Sequence, residues 1–96
     1  MSPINKIKLN KLRKKLDILD NDLLNVIKKR SILVNEVLKL KKFKKEIIDQ
    51  KRINFILKKI KKKSLKKNID IKITNRIWKS MIWSFIDYEK RNFKKK

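Results

Sequence analysis

The 96-residue chain contains no cysteine, no histidine and no glycine, and only one proline. Without cysteine and histidine it cannot form a disulfide, use a thiol nucleophile or an imidazole general base, or build a metal site from these ligands. Without glycine it lacks the phosphate-binding loops and dinucleotide motifs that depend on that residue. If the chain is an enzyme, its chemistry must depend on positive charge and shape more than on proton shuttling.

Acidic residues are also scarce: nine stand against 31 lysines and arginines, and the net charge is +22. The nine are scattered, with no Glu-x-x-His or Asp-x-Asp pair, so we expect no bound metal and no carboxylate metal site. A chain this basic attracts polyanions at low salt. Its lysines nevertheless occur in every segment, and the joint excess of lysine, isoleucine and asparagine is typical of AT-rich codon usage. We therefore interpret most lysines as solvated surface and expect nucleic acid to bind only non-specifically.

No stretch approaches 18 apolar residues, and the first residues lack the apolar run of a signal peptide. We therefore predict a cytoplasmic protein with no membrane segment. The length predicts one domain over residues 1–96, with a disordered basic tail at 91–96, and a core small enough to favour oligomerisation.

Apolar residues recur at three- and four-residue steps from Leu9 to Leu40, which predicts one amphipathic helix over about residues 5–42. A helix of about 38 residues is roughly 57 Å long, whereas a compact domain of this size is roughly 30–35 Å across. Its apolar stripe must extend beyond the domain, and the commonest cover is the same helix of a second chain in a two-fold dimer.

Two further helices are predicted after a loop. Asp49 is positioned to cap a short helix, which the lysine-rich run 61–68 would end. Either Asp70 or Thr74 would cap a helix of medium length. Because no alternating strand pattern is sustained, the predicted fold class is all-α, with long, short and medium helices.

Only five of the basic residues are arginines, whose planar fork binds a carboxylate in two places as lysine cannot. On the first helix, Arg30 and Lys41 lie within about 20° of one another and about 16 Å apart, so their side chains could hold a small dianion between them. Arg13 is about 25 Å before Arg30. In an antiparallel-type dimer, however, Arg13 of one chain could reach the Arg30 site of the other.

Other interpretations of these residues are open. Arg13 could pair with Asp17 one turn later, Arg52 could serve the helix cap, and the aromatic residues Trp78, Trp83 and Phe85 are more typical of a core. Glu89 lies in line with the apolar stripe of the third helix. Its carboxyl is either solvated at the helix end or buried, protonated and able to donate a hydrogen bond.

The sequence resembles the all-helical class of chorismate mutases over nearly its whole length. The resemblance is carried by residues in order along the chain: Leu12-Arg13-x-x-Leu16-Asp17, Ile27-x-x-Arg30-x-x-Leu33-Val34, Glu36-Val37-x-x-x-Lys41, Asp49-Gln50-Lys51-Arg52, and Ile77-Trp78-x-x-Met81-Ile82-x-x-Phe85-Ile86-x-Tyr88-Glu89.

The resemblance implies an intertwined homodimer of three-helix chains with two shared active sites, and a Claisen rearrangement of chorismate to prephenate that needs no cofactor. It implies that Arg30 and the partner subunit's Arg13 hold the two carboxylates. Lys41 would stabilise the negative charge that grows on the ether oxygen. Asp49 and Arg52 would complete the wall near the substrate ring.

The chain departs from the family pattern at three positions. Ile53 stands where the family commonly has a glutamate that contacts the ring hydroxyl, and Phe85 stands where a small polar residue is frequent. Glu89 replaces a glutamine as second donor to the ether oxygen, and it can donate only when protonated. The alternatives are an isochorismate pyruvate-lyase with a similar site, and a non-enzymatic basic helical protein that binds nucleic acid.

Overall fold

A computed structural model of the chain describes residues 1–95, and within them it shows three α-helices and no strand. Helix α1 spans Pro3–Leu40, a short 3-10 turn spans Lys44–Glu46, α2 spans Gln50–Lys66 and α3 spans Ile71–Asn92. These helices have 38, 17 and 22 residues. The predicted all-α class, with long, short and medium helices, is confirmed.

Helix α1 begins where local chemistry favours a start. The Ser2 hydroxyl accepts a hydrogen bond from the Asn5 backbone N–H at 3.2 Å, and Pro3 follows at the first helical position, where its missing N–H costs nothing. The helix ends at Leu40 rather than near residue 42.

The chain divides into two compact units, Met1–Leu33 and Val34–Lys96. The first unit is the larger part of α1, and none of its side chains is buried. The apolar stripe predicted from the sequence lies open in it, with Leu12, Leu16, Leu19 and Leu23 between 55% and 61% exposed. This segment therefore has no apolar core of its own.

The second unit contains the core. Helices α2 and α3 pack against one another, and a buried hydrogen bond of 2.8 Å joins the hydroxyls of Ser64 and Thr74 between them. The last turn of α1 and the following loop each contribute one buried side chain. The apolar core consists of Leu38, Ile47, Ile53, Ile82 and Ile86.

The turn between α2 and α3 needs a left-handed residue, and in this chain asparagine supplies it. Asn68 has a φ of 57°. Its N–H donates to the Leu65 carbonyl at 3.3 Å, and the Ile69 N–H donates to the Ser64 carbonyl at 2.9 Å, which is the Schellman pattern of helix termination. Asp70 then caps α3 by accepting from the Lys72 N–H at 2.8 Å. Of the two caps predicted, Asp70 is therefore the one used.

The conformation of Asn68 gives a stability prediction. We expect Asn68→Ala to lower the free energy of unfolding by about 1 kcal/mol, because a Cβ without a local hydrogen-bonding group is disfavoured at positive φ. Asn68→Gly should be neutral or stabilising at the same position. Urea unfolding measures both. Asn75→Ala, inside α3, is the matched control and should not destabilise, since alanine favours a helix there.

The structure differs from the sequence-based predictions at Trp83 and in part of the C-terminal tail. We predicted that Trp83 belongs to the core, but it is 48% exposed, because it lies about 100° around the helix from the buried Ile82. Of the tail predicted to be disordered, Arg91 and Asn92 lie in α3. Lys96 lies outside the described residues.

Candidate active site

Lys41 is the first residue after α1. Hydrogen bonds at Lys41 and at the residues that follow it hold the backbone of this segment in place. Its own N–H donates to the Leu38 carbonyl at 3.1 Å. Beyond it, one oxygen of the Glu46 carboxylate accepts from the N–H groups of Lys42 at 2.8 Å and Phe43 at 3.2 Å. Ile47 then enters the core, 3% exposed. The loop is therefore anchored where Lys41 leaves the helix.

The side chains of Lys41 and Glu89 form an ion pair. Lys41 Nζ donates to Glu89 Oε2 at 2.8 Å, and the two side chains are 18% and 10% exposed. Glu89 lies on the buried face of α3, one turn after Ile86 and two turns after Ile82. The structure thus joins two residues that are 48 positions apart in the sequence and that were both predicted to face the substrate's ether oxygen.

This ion pair is largely withdrawn from water, so each charge depends on the other for solvation. A lysine ammonium has three N–H donors. The hydrogen bond to Glu89 fixes the direction of one of them. The other two N–H groups can donate to another acceptor placed beside the pair. An ether oxygen on which negative charge grows requires such a donor.

A second hydrogen bond ties the end of α3 to α1 beside this pair. The Tyr88 hydroxyl donates to Asn35 Oδ1 at 2.8 Å. Tyr88 precedes Glu89, and Asn35 is six residues before Lys41, so the bond holds the two helices on which the ion pair depends. Asn35 was not predicted as a site residue. Its only signal in the sequence is a polar side chain among the apolar residues of this helical segment.

The start of α2 holds three of the predicted site residues in different environments. Asp49 caps the helix as predicted, accepting from the Arg52 N–H at 3.0 Å. The Arg52 guanidinium lies 5.4 Å from the centre of the Phe55 ring, on an exposed side chain. Ile53 is 6% exposed and packs in the apolar core, which provides a physical reason for an apolar residue at that position.

The remaining predicted residues belong to α1 and α3. Arg13 is exposed, and among residues 1–95 it forms no ion pair with Asp17, so the alternative of a local pair is not observed. Arg30 and Phe85 are each half-buried.

A cleft of about 360 Å³ opens between α2 and α3, lined in part by Ile60, Ile71 and Thr74. Thr74 is 15 residues from Glu89 on the same helix, roughly 22 Å along its axis. The cleft is therefore distinct from the ion pair.

Residues 1–95 contain no group of three or more acidic side chains that could hold a metal ion. None of the helices described is long and apolar enough to cross a membrane.

Comparison with known proteins identifies the family. Searches of curated proteins and of solved structures found no match to this chain. The sequence model of the family described as chorismate mutase type II, in contrast, matches residues 12–90. The match includes Arg13, Arg30, Lys41, Asp49, Arg52 and Glu89 and extends over most of the chain. This chain belongs to the chorismate mutase type II family.

Proposed function

We propose that the chain is a chorismate mutase, an isomerase that converts chorismate to prephenate. The observation that carries this proposal is the ion pair between Lys41 and Glu89, within the matched region. It places an oriented ammonium at a largely desolvated position next to a second polar group. Such a pair can act on an ether oxygen in a rearrangement that transfers no proton to or from the protein.

In the proposed mechanism, the carbon–oxygen bond of the enolpyruvyl ether breaks while a carbon–carbon bond forms at the other end of the same group. The electrons shift toward the ether oxygen in the transition state. The Lys41 ammonium stabilises that charge more strongly than it stabilises the ground state, which is what lowers the barrier. Asp49 and Arg52, at the start of α2, complete the site wall.

The two carboxylates of chorismate need two separate cations, and we assign them to Arg30 and to Arg13 of the partner subunit. A guanidinium binds a carboxylate through two parallel hydrogen bonds. The dimer is supported by Leu12, Leu16 and Leu19, which are 57–61% exposed on the first unit. Apolar residues at this spacing on a long helix are typical of a surface that a second helix covers.

The direct test is incubation of the purified chain with chorismate, following loss of substrate and formation of prephenate. We expect prephenate, without added metal or cofactor. Isochorismate is the control substrate, because salicylate release from it would indicate a pyruvate-lyase on the same fold. If neither substrate reacts, the proposed enzyme activity is wrong. In its biological setting, we infer a role in phenylalanine and tyrosine synthesis in the cytoplasm.

Glu89 holds the Lys41 ammonium in the proposed site. Its carboxylate accepts a hydrogen bond from Lys41 Nζ at 2.8 Å. A carboxylate only accepts hydrogen bonds, whereas a glutamine amide also donates them. Glutamine at this position could therefore donate to the ether oxygen and leave Lys41 available to the substrate.

We expect Glu89→Gln to raise kcat/KM for chorismate, because glutamine donates a hydrogen bond to the ether oxygen and an ion-paired carboxylate does not. Steady-state kinetics with chorismate checks this. Asp87→Asn, which removes the exposed partner of Arg91, is the matched control and should leave kcat/KM unchanged. An unchanged kcat/KM in Glu89→Gln would exclude Glu89 from the mechanism.

A further inference from the structure

The outward face of α2 carries a continuous stripe of positive charge. Between Asp49 and Asp70 the chain has nine lysines and arginines and no acidic residue. Six exposed residues lie within an arc of about 100° around the helix axis. This group, the α2 stripe, consists of Lys51, Arg52, Phe55, Lys59, Lys62 and Lys66.

The stripe lies opposite the side of α2 that packs against the protein. Ile53 and Ser64 are buried on the inner side, and Phe55 is about 160° around the helix from Ile53. Phe55 is 53% exposed and lies outside the apolar core. An aromatic residue at the centre of a basic outward face therefore serves no packing purpose within the described chain.

The surroundings of Phe55 combine an aromatic ring with cations. The Arg52 guanidinium is 5.4 Å from the ring centre and the Lys59 ammonium is 5.7 Å from it. Basic grooves that follow a phosphate backbone and aromatic rings on which bases stack are together the features of sites for single-stranded nucleic acid.

We propose that the α2 stripe is a binding surface for single-stranded nucleic acid, with phosphates held by the lysines and one base stacked on Phe55. From Lys51 to Lys66 the stripe is about 22 Å long, room for about six nucleotides at roughly 3.4 Å per phosphate along a stacked strand. Recognition is independent of sequence, because the lysines contact phosphates and a phenylalanine ring can stack on any base. Arg52 also belongs to the proposed wall of the active site, so the tests below change only stripe residues that have no proposed role in the mutase reaction.

The charge contribution is tested with two matched triple variants. Lys59→Gln/Lys62→Gln/Lys66→Gln removes three stripe lysines, and Lys8→Gln/Lys11→Gln/Lys15→Gln removes three exposed α1 lysines at the same helical spacing. Both reduce the net charge from +22 to +19, that is 22 minus 3. Glutamine is a good helix former, so both triple variants should fold. Circular dichroism checks their helix content.

Binding of a fluorescently labelled oligouridylate is measured by anisotropy at several salt concentrations. We expect the stripe variant to bind at least about tenfold more weakly, with a salt slope smaller by about two, as follows from loss of three phosphate contacts on a single strand. The α1 variant should change affinity by less than about threefold. Equal losses in the two variants would show attraction by total charge alone and would overturn the proposal.

The stacking contribution is tested with Phe55→Leu against Phe43→Leu. Both rings are exposed, at 53% and 58%, and Lys45 lies 5.6 Å from the Phe43 ring, so the pair is matched in chemistry. We expect Phe55→Leu to weaken oligouridylate binding by at least about fivefold and Phe43→Leu to have little effect.

Two competitors distinguish the kind of partner. A duplex of equal length should compete more weakly than the single strand, because its bases are not available to stack on Phe55. Polyglutamate of equal charge should also compete weakly. If either competes as well as the single strand, and Phe55→Leu binds like the original protein, the stripe is a general anion surface and the proposal is wrong.

Discussion

We expect Lys41→Gln to lower kcat for the conversion of chorismate by about 10²–10³-fold, the usual effect of removing one preorganised donor to a developing oxyanion. The KM should change much less, because the charge on the ether oxygen exists mainly in the transition state. Steady-state kinetics with chorismate checks both parameters. A rise in KM with unchanged kcat would show that Lys41 only binds substrate.

This variant also removes the partner of a buried carboxylate, so loss of folding must be separated from loss of chemistry. Lys41→Gln leaves Glu89, whose side chain is 10% exposed, without its ion pair, at a cost of about 1–3 kcal/mol of stability. The double variant Lys41→Gln/Glu89→Gln restores a neutral pair of amides that can hydrogen-bond. We expect it to regain stability in urea unfolding but to remain as slow as Lys41→Gln, since neither amide carries the positive charge.

Much of the fold follows from local sequence signals. The apolar spacing of the long first segment can be satisfied only by a helix, and Asp49 lies directly before the next helix and caps it. The site was harder to infer, because its key contact joins residues 48 positions apart. Periodicity placed Glu89 on the buried side of α3, but it could not pair the carboxylate with Lys41. That pairing depends on how α3 packs against the end of α1.

The features that sequence reasoning missed share one physical cause. The hydrogen bond between Tyr88 and Asn35 depends on the packing of two helices, and local patterns do not report such packing. The exposure of Trp83 and Phe55 likewise follows from which side of each helix is covered. The positions of the lysines in the sequence suggested that positive charge is spread evenly over the protein surface. Only the observed inner face of α2 shows that its lysines and Phe55 gather on the outer one.

The second large effect concerns the active site that we propose to be shared between two chains. Its test begins with two variants, each of which removes one of the two arginines. We expect Arg13→Ala and Arg30→Ala each to lower kcat/KM by at least about a hundredfold, because each removes a charged two-point contact to a carboxylate. Arg30→Lys should also be severely impaired although it keeps the charge, since the planar fork is lost. Arg76→Ala, on an exposed position of α3, is the matched control and should retain full activity.

Mixing the two alanine variants then tests whether one site is built by two chains. If Arg30 of one subunit acts with Arg13 of the partner subunit, a mixed dimer has one site with both arginines and one with neither. After unfolding and refolding an equal mixture, half of the dimers should be mixed, so the expected activity is about a quarter of that of the original protein. Unfolding and refolding each variant alone should restore no activity. If the mixture stays inactive although mass measurement shows mixed dimers, both arginines must belong to a site within one chain, and the shared-site arrangement is wrong.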